Sequence, residues 1–168
     1  MKLGKILLTA ILAIALMSGI ALAEDKIGYV DLSKLFDEYS KTKEYDKVLE
    51  GKHNEFEKER NDRIEKIKDA QGKLSVLAAD KKSEVEANIE KMRNDLVEYD
   101  RQKKADLTKD RNEKIREILL EIEKIVSDYA QKEGYTLILN DRVLIYGAKT
   151  MDLTEQILQM LNTETGKK

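Results

Sequence analysis

Apolar residues recur at helical spacing through residues 43–129, a stretch without proline in which charges alternate in sign. Val85, Ile89, Met92, Leu96 and Tyr99 step by four, three, four and three residues, which places one stripe on one side of a helix and asks for a partner helix. Ile64, Ile67, Leu74 and Ala78 carry the same stripe earlier, with Gln71 filling one position. The pattern breaks around Ala78, Ala79, Asp80, Lys81, Lys82 and Ser83, where Asp80 could cap a new helix, or Ser83 with Glu86 as a capping box. Two long helices folded back as a hairpin, with a tip near 78–83, are therefore predicted. Each arm would hold roughly 36 to 48 residues, or about 50 to 70 Å at about 1.5 Å per residue. Nothing else in the chain is large enough to cover arms of that length, so they project into solvent.

Tyr45, Leu49 and Phe56 begin the first arm's stripe, and Val48 lies beside it. Residues 57–63 contain no apolar side chain and should face 97–103, while Leu107 stands alone between Tyr99 and Ile115. Gly51 and Gly72 lie inside the first helix, at a cost of about 1 kcal/mol each against alanine. These features describe either an arm that bends or splays, or tolerated drift. Nearer the base, Ile115, Ile118, Leu119, Ile122, Ile125, Val126 and Tyr129 make a stripe wider than a two-helix seam requires, so this part should also pack on a body. Gly134 stands where the helix would stop in a left-handed conformation.

The flanks change period. Ile27, Gly28, Tyr29 and Val30 read as a strand, followed by a short helical turn that Ser33 could cap. Tyr135, Thr136, Leu137, Ile138 and Leu139, the turn Asn140-Asp141-Arg142, and Val143, Leu144, Ile145, Tyr146 and Gly147 read as a β-hairpin whose strands are covered on both faces. Asp152-Leu153-Thr154-Glu155 is a capping box opening a closing helix through Ile157, Leu158 and Leu161. Residues 24–42 and 130–168 thus form a small β-rich body, near the lower size limit for independent folding. Such a body should be completed by other copies of the chain. The fold class is α+β and mostly helical: a long antiparallel helical-hairpin arm of coiled-coil type, residues 43–129, projecting from a β body completed by homo-oligomerisation.

Residues 1–23 have the parts of a cleaved secretory signal: Lys2 and Lys5, an apolar run over 6–16, and the small-x-small site Ala21-Leu22-Ala23 before Glu24. Glutamate at 24 excludes a lipid-anchored cysteine there. Cleavage would take the formal charge from −2 to −4, because only Lys2 and Lys5 are lost. Lysine and arginine are interleaved with acids throughout the arms, which argues against nucleic acid as a partner. Glu59 with Arg63, Asp62 with Lys66, Asp69 with Lys73 and Asp110 with Lys114 stand four apart in the favourable order.

No cysteine occurs, so neither disulfides nor thiol chemistry is available. His53 is the one histidine, too few for a zinc site, and it reads as a polar residue near the seam. No phosphate-binding glycine loop is present, and Ser33, Ser40, Ser75, Ser83 and Ser127 have no identifiable base. The sequence thus points to no enzyme, cofactor or metal.

Ile27-Gly28-Tyr29-Val30-Asp31, taken with Gly134-Tyr135-Thr136-Leu137-Ile138-Leu139 and the closing segment from Asp152-Leu153-Thr154 to Leu161-Asn162, resembles the Skp family, also called OmpH-like periplasmic chaperones. The resemblance spans nearly the whole mature chain. It implies a jellyfish-shaped trimer whose helical tentacles enclose a cavity, where unfolded outer-membrane β-barrel proteins are held without ATP in the periplasm. By position it makes Ile27, Tyr29, Val30, Leu137, Ile138, Leu139, Val143, Leu144, Ile145 and Tyr146 the oligomerisation body. The best-known members are strongly basic, whereas this mature chain is acidic; Lys73, Lys81 and Lys82 leave the tips a modest positive character for weak membrane-surface contact. Apolar residues beside the seams, Val48, Val76, Leu77, Val97, Leu119 and Leu120, are the candidate client contacts. The alternative is a structural coiled-coil spacer of the cell envelope, which would need no apolar strand body.

Overall fold

The computed structural model describes residues 25–165, so the expected leader and its cleavage residues Ala21, Ala23 and Glu24 lie outside the described residues. A strand β1 (Ile27–Val30) leads into a short helix α1 (Leu32–Glu38) and then two long helices, α2 (Ser40–Leu74) and α3 (Ala79–Glu133). A strand β2 (Leu137–Asn140), two single turns of 3-10 helix and a closing helix α4 (Thr154–Thr165) complete the chain. β1 and β2 pair in parallel, Ile27 opposite Leu137 and Val30 opposite Asn140. Parallel neighbours need a long crossover, and here the crossover is the entire two-helix arm.

The two arm helices differ in length. α2 has 35 residues and α3 has 55, so α3 runs on past the start of α2 into the body. Its root carries Ile118, Ile122 and Ile125 into one core with Val30, Leu35, Tyr39, Leu153, Ile157, Leu158 and Leu161. The arm's root is therefore a wall of the body, as the wide apolar stripe requires. α3 stops at Gly134, whose φ of 73° is the left-handed conformation expected there.

Capping follows the fold more than the nearest polar residue. α1 is capped by Asp31, which accepts a bond from the Lys34 N–H at 2.9 Å, and not by Ser33, which instead accepts one from Arg142. The chain breaks at Tyr39 into extended backbone, and the Ser40 N–H that opens α2 is capped from across the core by Asn162 Oδ1 at 2.8 Å. α3 begins at Ala79 without a side-chain cap, so neither Asp80 nor Ser83, the two expected caps, serves there. The connection is thus residues 75–78, and Asp80 sits in the first turn of α3, where a negative charge complements the helix dipole. Asp152 does cap α4, accepting from the Thr154 N–H at 3.0 Å, but Glu155 pairs with Lys34 and does not reach back.

The expected hairpin of 135–139 with 143–147 does not form. β2 takes β1 as its partner, Asp141–Val143 becomes a 3-10 turn, and the run after it is not a strand. Tyr29 makes an isolated parallel bridge to Asp152, and its carbonyl accepts the Leu153 N–H at 2.9 Å, so the other edge of β1 is taken by the entrance to α4. The second apolar run is left at the surface: Val143, Ile145 and Tyr146 are exposed and Leu144 is half-buried. Ile27 and Leu137 are exposed too, Tyr29, Ile138 and Leu139 are half-buried, and Val30 is buried. Within the single chain the body is therefore mainly helical, and part of its strand surface is left uncovered. Gly28 is required by crowding, since a Cβ there would lie 2.5 Å from Leu153 Cδ1.

Candidate functional site

The arm is the one large feature available for function, and its seam changes character along its length. At the root, Lys41 spans Glu117, at 3.3 Å, and Glu121, while the Tyr39 hydroxyl donates to Glu121 Oε2 at 3.1 Å. The bond to Glu121 is the main reason the Lys41 ammonium is held above its ordinary pKa. Higher up, Lys52 pairs across the seam with Asp110, so Asp110 does not serve Lys114, which turns to Glu117.

In the middle, where residues 57–63 offer nothing apolar, Tyr99 of α3 is built into a clasp. Its ring stacks on Phe56, with centroids 5.8 Å apart, and the Arg63 guanidinium lies 4.2 Å from the ring centroid. Its hydroxyl donates to Glu59 at 2.8 Å, and Glu59 also accepts from Arg63 at 2.7 Å. Arg60 Nε donates to Asp100 at 3.0 Å one step along. Burial, followed by the bond to the Glu59 carboxylate, pushes the Tyr99 pKa up to about 12. The Arg63 and Tyr99 bonds hold the Glu59 carboxyl below its usual range. The pairing of 59 with 99 and 60 with 100 is the register expected from the sequence.

Beyond the clasp, Ile67 and Ile89 are buried and Ile64, Leu74, Leu77, Val85, Met92 and Leu96 half-buried. The structure does not bring the proposed client contacts together. Val48, Val76, Val97 and the adjacent pair Leu119 and Leu120 are exposed at separate heights, Val76 most of all at 83%, and Leu77 is half-buried. At the tip, Ala78, Asp80, Lys81 and Ser83 are exposed, Lys82 is half-buried, and Ala79 opens α3. His53 is exposed and tilts against Phe56, with centroids 6.2 Å apart. Among the described residues no group of histidine and acidic side chains is clustered to hold a metal ion.

The family model described as "Outer membrane protein (OmpH-like)" matches residues 26–161, from the residue before β1 into α4. This chain belongs to the OmpH-like family. OmpH-like proteins are chaperones and not enzymes, and the chain has a chaperone's role. A solved structure of a candidate outer membrane chaperone (OmpH-like) from Caulobacter crescentus CB15 superposes with a TM-score of 0.77 at 11% identity, covering 88% of this chain and 90% of that one. At that identity the likeness is one of fold. No curated protein matches the sequence at a significant level.

Within the OmpH-like fold the clasp is what sequence reading missed. Glu59 and Arg63 were legible as an i,i+4 pair, but Arg60 with Asp100 and the stack of Phe56 on Tyr99 were not. The available signal was an aromatic at a stripe position opposite a window with no apolar residue.

Proposed function

We propose that the chain is an ATP-independent periplasmic holdase that keeps unfolded outer-membrane β-barrel proteins from aggregating before insertion, holding them between the arms of a homo-oligomer, a trimer by resemblance. The observation that carries this reading is the arm itself. α2 alone spans roughly 50 Å at about 1.5 Å per residue, is covered by nothing but α3 over most of that length, and offers no deep site. Its apolar side chains outside the seam are single and scattered among charges. Such a surface binds weakly at any one point, and a client spanning several arms gains from their high local concentration.

Assembly is supported by the body. β2 has an unpaired edge, and Leu137, Val143, Ile145 and Tyr146 place exposed apolar side chains beside or just after it, where strands or loops of other copies would cover them. Sedimentation should give an oligomer at micromolar concentration; a monomer would remove this part of the proposal. Val76, flanked by Lys73 and Lys81, suits a weak membrane-surface contact at the tips.

The test is dilution of a denatured outer-membrane β-barrel protein into buffer without ATP, followed by light scattering. Suppression at near-stoichiometric amounts, with a soluble complex recovered by gel filtration, is expected. A folded, oligomeric protein that fails to suppress scattering would instead be an envelope spacer. Polar substitution of Val76 and Leu77 should weaken suppression without loss of helix; unchanged suppression strikes those two from the contact list.

A further inference from the structure

The seam of the arm is left open at one level. On α3, Leu107 is the one large apolar residue between Tyr99 and Ile115, and the charged residues beside it turn to one side of the arm. There Lys52 pairs with Asp110, and the Lys103 ammonium stands 5.9 Å from the Tyr99 ring centroid. On the opposite side Leu49 and Leu107, both half-buried, form the floor of a shallow cleft of about 440 Å³ that opens to solvent.

Asp46 and Glu50 rim this cleft on α2, Thr108 and Arg111 rim it on α3, and the His53 imidazole, tilted against Phe56, stands at its tip-ward end. Beyond His53 the same face is crossed by the Arg60–Asp100 pair. The register set by that pair and by Lys52 with Asp110 puts Glu50 level with Arg111. The two do not meet. Among the described residues none of Asp46, Glu50 and Arg111 forms an ion pair, and all three are exposed. An apolar floor therefore separates an acidic edge from a basic one.

We propose that this cleft takes an aromatic side chain of an unfolded client. The inference rests on the holdase reading above and names the part of the client that this level of the arm holds. The charges select a ring over an aliphatic chain, because an aromatic ring is negative on its faces and positive at its edge. A ring laid flat on Leu49 and Leu107 buries one face on the floor and turns its edge to the Asp46 and Glu50 carboxylates. Its outer face is then open to the Arg111 guanidinium, which has no carboxylate to hold it elsewhere. The size fits as well. Pockets that bury a whole small molecule run from roughly 300 to 1,000 Å³, so this cleft has room for one or two side chains and not for a folded element. Barrel strands carry girdles of aromatic residues at both membrane interfaces, so an unfolded barrel protein offers such rings along its whole length. The cleft on the opposite side of the seam, about 310 Å³, is lined mainly by charged side chains and bordered by the Lys52–Asp110 pair.

The test uses a denatured outer-membrane β-barrel protein in which azidophenylalanine replaces phenylalanine or, in a second preparation, photo-leucine replaces leucine. Each is held by the full mature protein, irradiated, and its cross-links mapped. Those from the aromatic probe should gather on residues 46–53 and 107–111, and those from photo-leucine should spread along the arm. Ala105, exposed and two residues from Leu107, is about 200° round the same helix and gives the background at the same height. Arg111→Gln should lower aromatic cross-links at the cleft about two- to fivefold, the worth of an exposed cation–π contact, and leave those of photo-leucine unchanged. Lys109→Gln, turned away from the cleft, should change neither. Arg111 is exposed and outside the core, so circular dichroism should show full helix in its variant. Aromatic cross-links as frequent at Ala105 as at the cleft, or an equal response of both probes to Arg111→Gln, would overturn the cleft and leave the holdase reading in place. Absence of any soluble complex on gel filtration would overturn the holdase reading, and the cleft with it.

Discussion

The body and the arm share one helix and hold it by different physics. Where α3 passes through the body, Ile118 and Ile122 are essentially inaccessible to solvent and meet Leu35, Ile157 and Leu161 in a dry core. Some twenty residues toward the tip, the same helix is tied to α2 by Tyr99, Asp100 and their polar partners, all half-buried or exposed. Burial of apolar area is strong and insensitive to salt or pH, whereas exposed ion pairs and half-exposed hydrogen bonds are weak and sensitive to both. One continuous helix should therefore open in stages, arm first, and the protein can be stable and yielding at once.

The most severe way to break the comparison is in the body. Ile157→Ala empties a fully buried site and should cost about 2–5 kcal/mol in denaturant unfolding, with the arm melting alongside. Gly28→Ala drives a Cβ against Leu153 and Tyr135 and should cost about 1–3 kcal/mol by overpacking. In the arm the effects are smaller and local. Tyr99→Phe keeps the stack on Phe56 but removes the bond to Glu59, and should cost about 1 kcal/mol. It should raise hydrogen exchange around 56–63 and 96–103 without changing exchange at Ile118 or Ile157; equal effects in both regions would contradict staged opening.

Titration sharpens the same contrast. The Tyr99 pKa is raised in the fold, so its contribution is complete below its ordinary value of 10.0 and is lost as pH rises toward and through about 12. Glu59 is lowered, so its contribution is present above its ordinary 4.5 and is lost as pH falls through its folded value. The difference in arm stability between wild type and Tyr99→Phe should shrink at both extremes. Least of all, Gly51→Ala adds a methyl group to open space inside α2 and should stabilise the arm by about 0.5–1 kcal/mol, seen as slower exchange near residue 51.

Much of this was legible because helices are local. The stripe of Val85 to Tyr99, the stop at Gly134 and the closing helix through Ile157 and Leu161 all follow from spacing within a few turns. The arm register was legible too, since a hairpin with a short tip leaves its helices little freedom to slide. The strand pairing was not. An apolar run, a polar turn and a second apolar run describe a hairpin equally well as one strand followed by a surface segment, and only the free edge of β1 decided between them. The start of the first arm helix at Ser40 was legible from the pattern, but its cap was not, because that comes from Asn162, more than a hundred residues away in the chain.

By itself the sequence determined that this chain builds a long charged two-helix arm on a small apolar body, because periodicity and composition are properties of neighbouring residues. Tertiary structure alone decided that the arm is the crossover between two parallel strands, that Tyr99 takes the place of a missing apolar layer, and that the run from Val143 to Tyr146 is left facing solvent. Each of these depends on which groups meet across long stretches of chain, and every local pattern here is compatible with more than one such meeting.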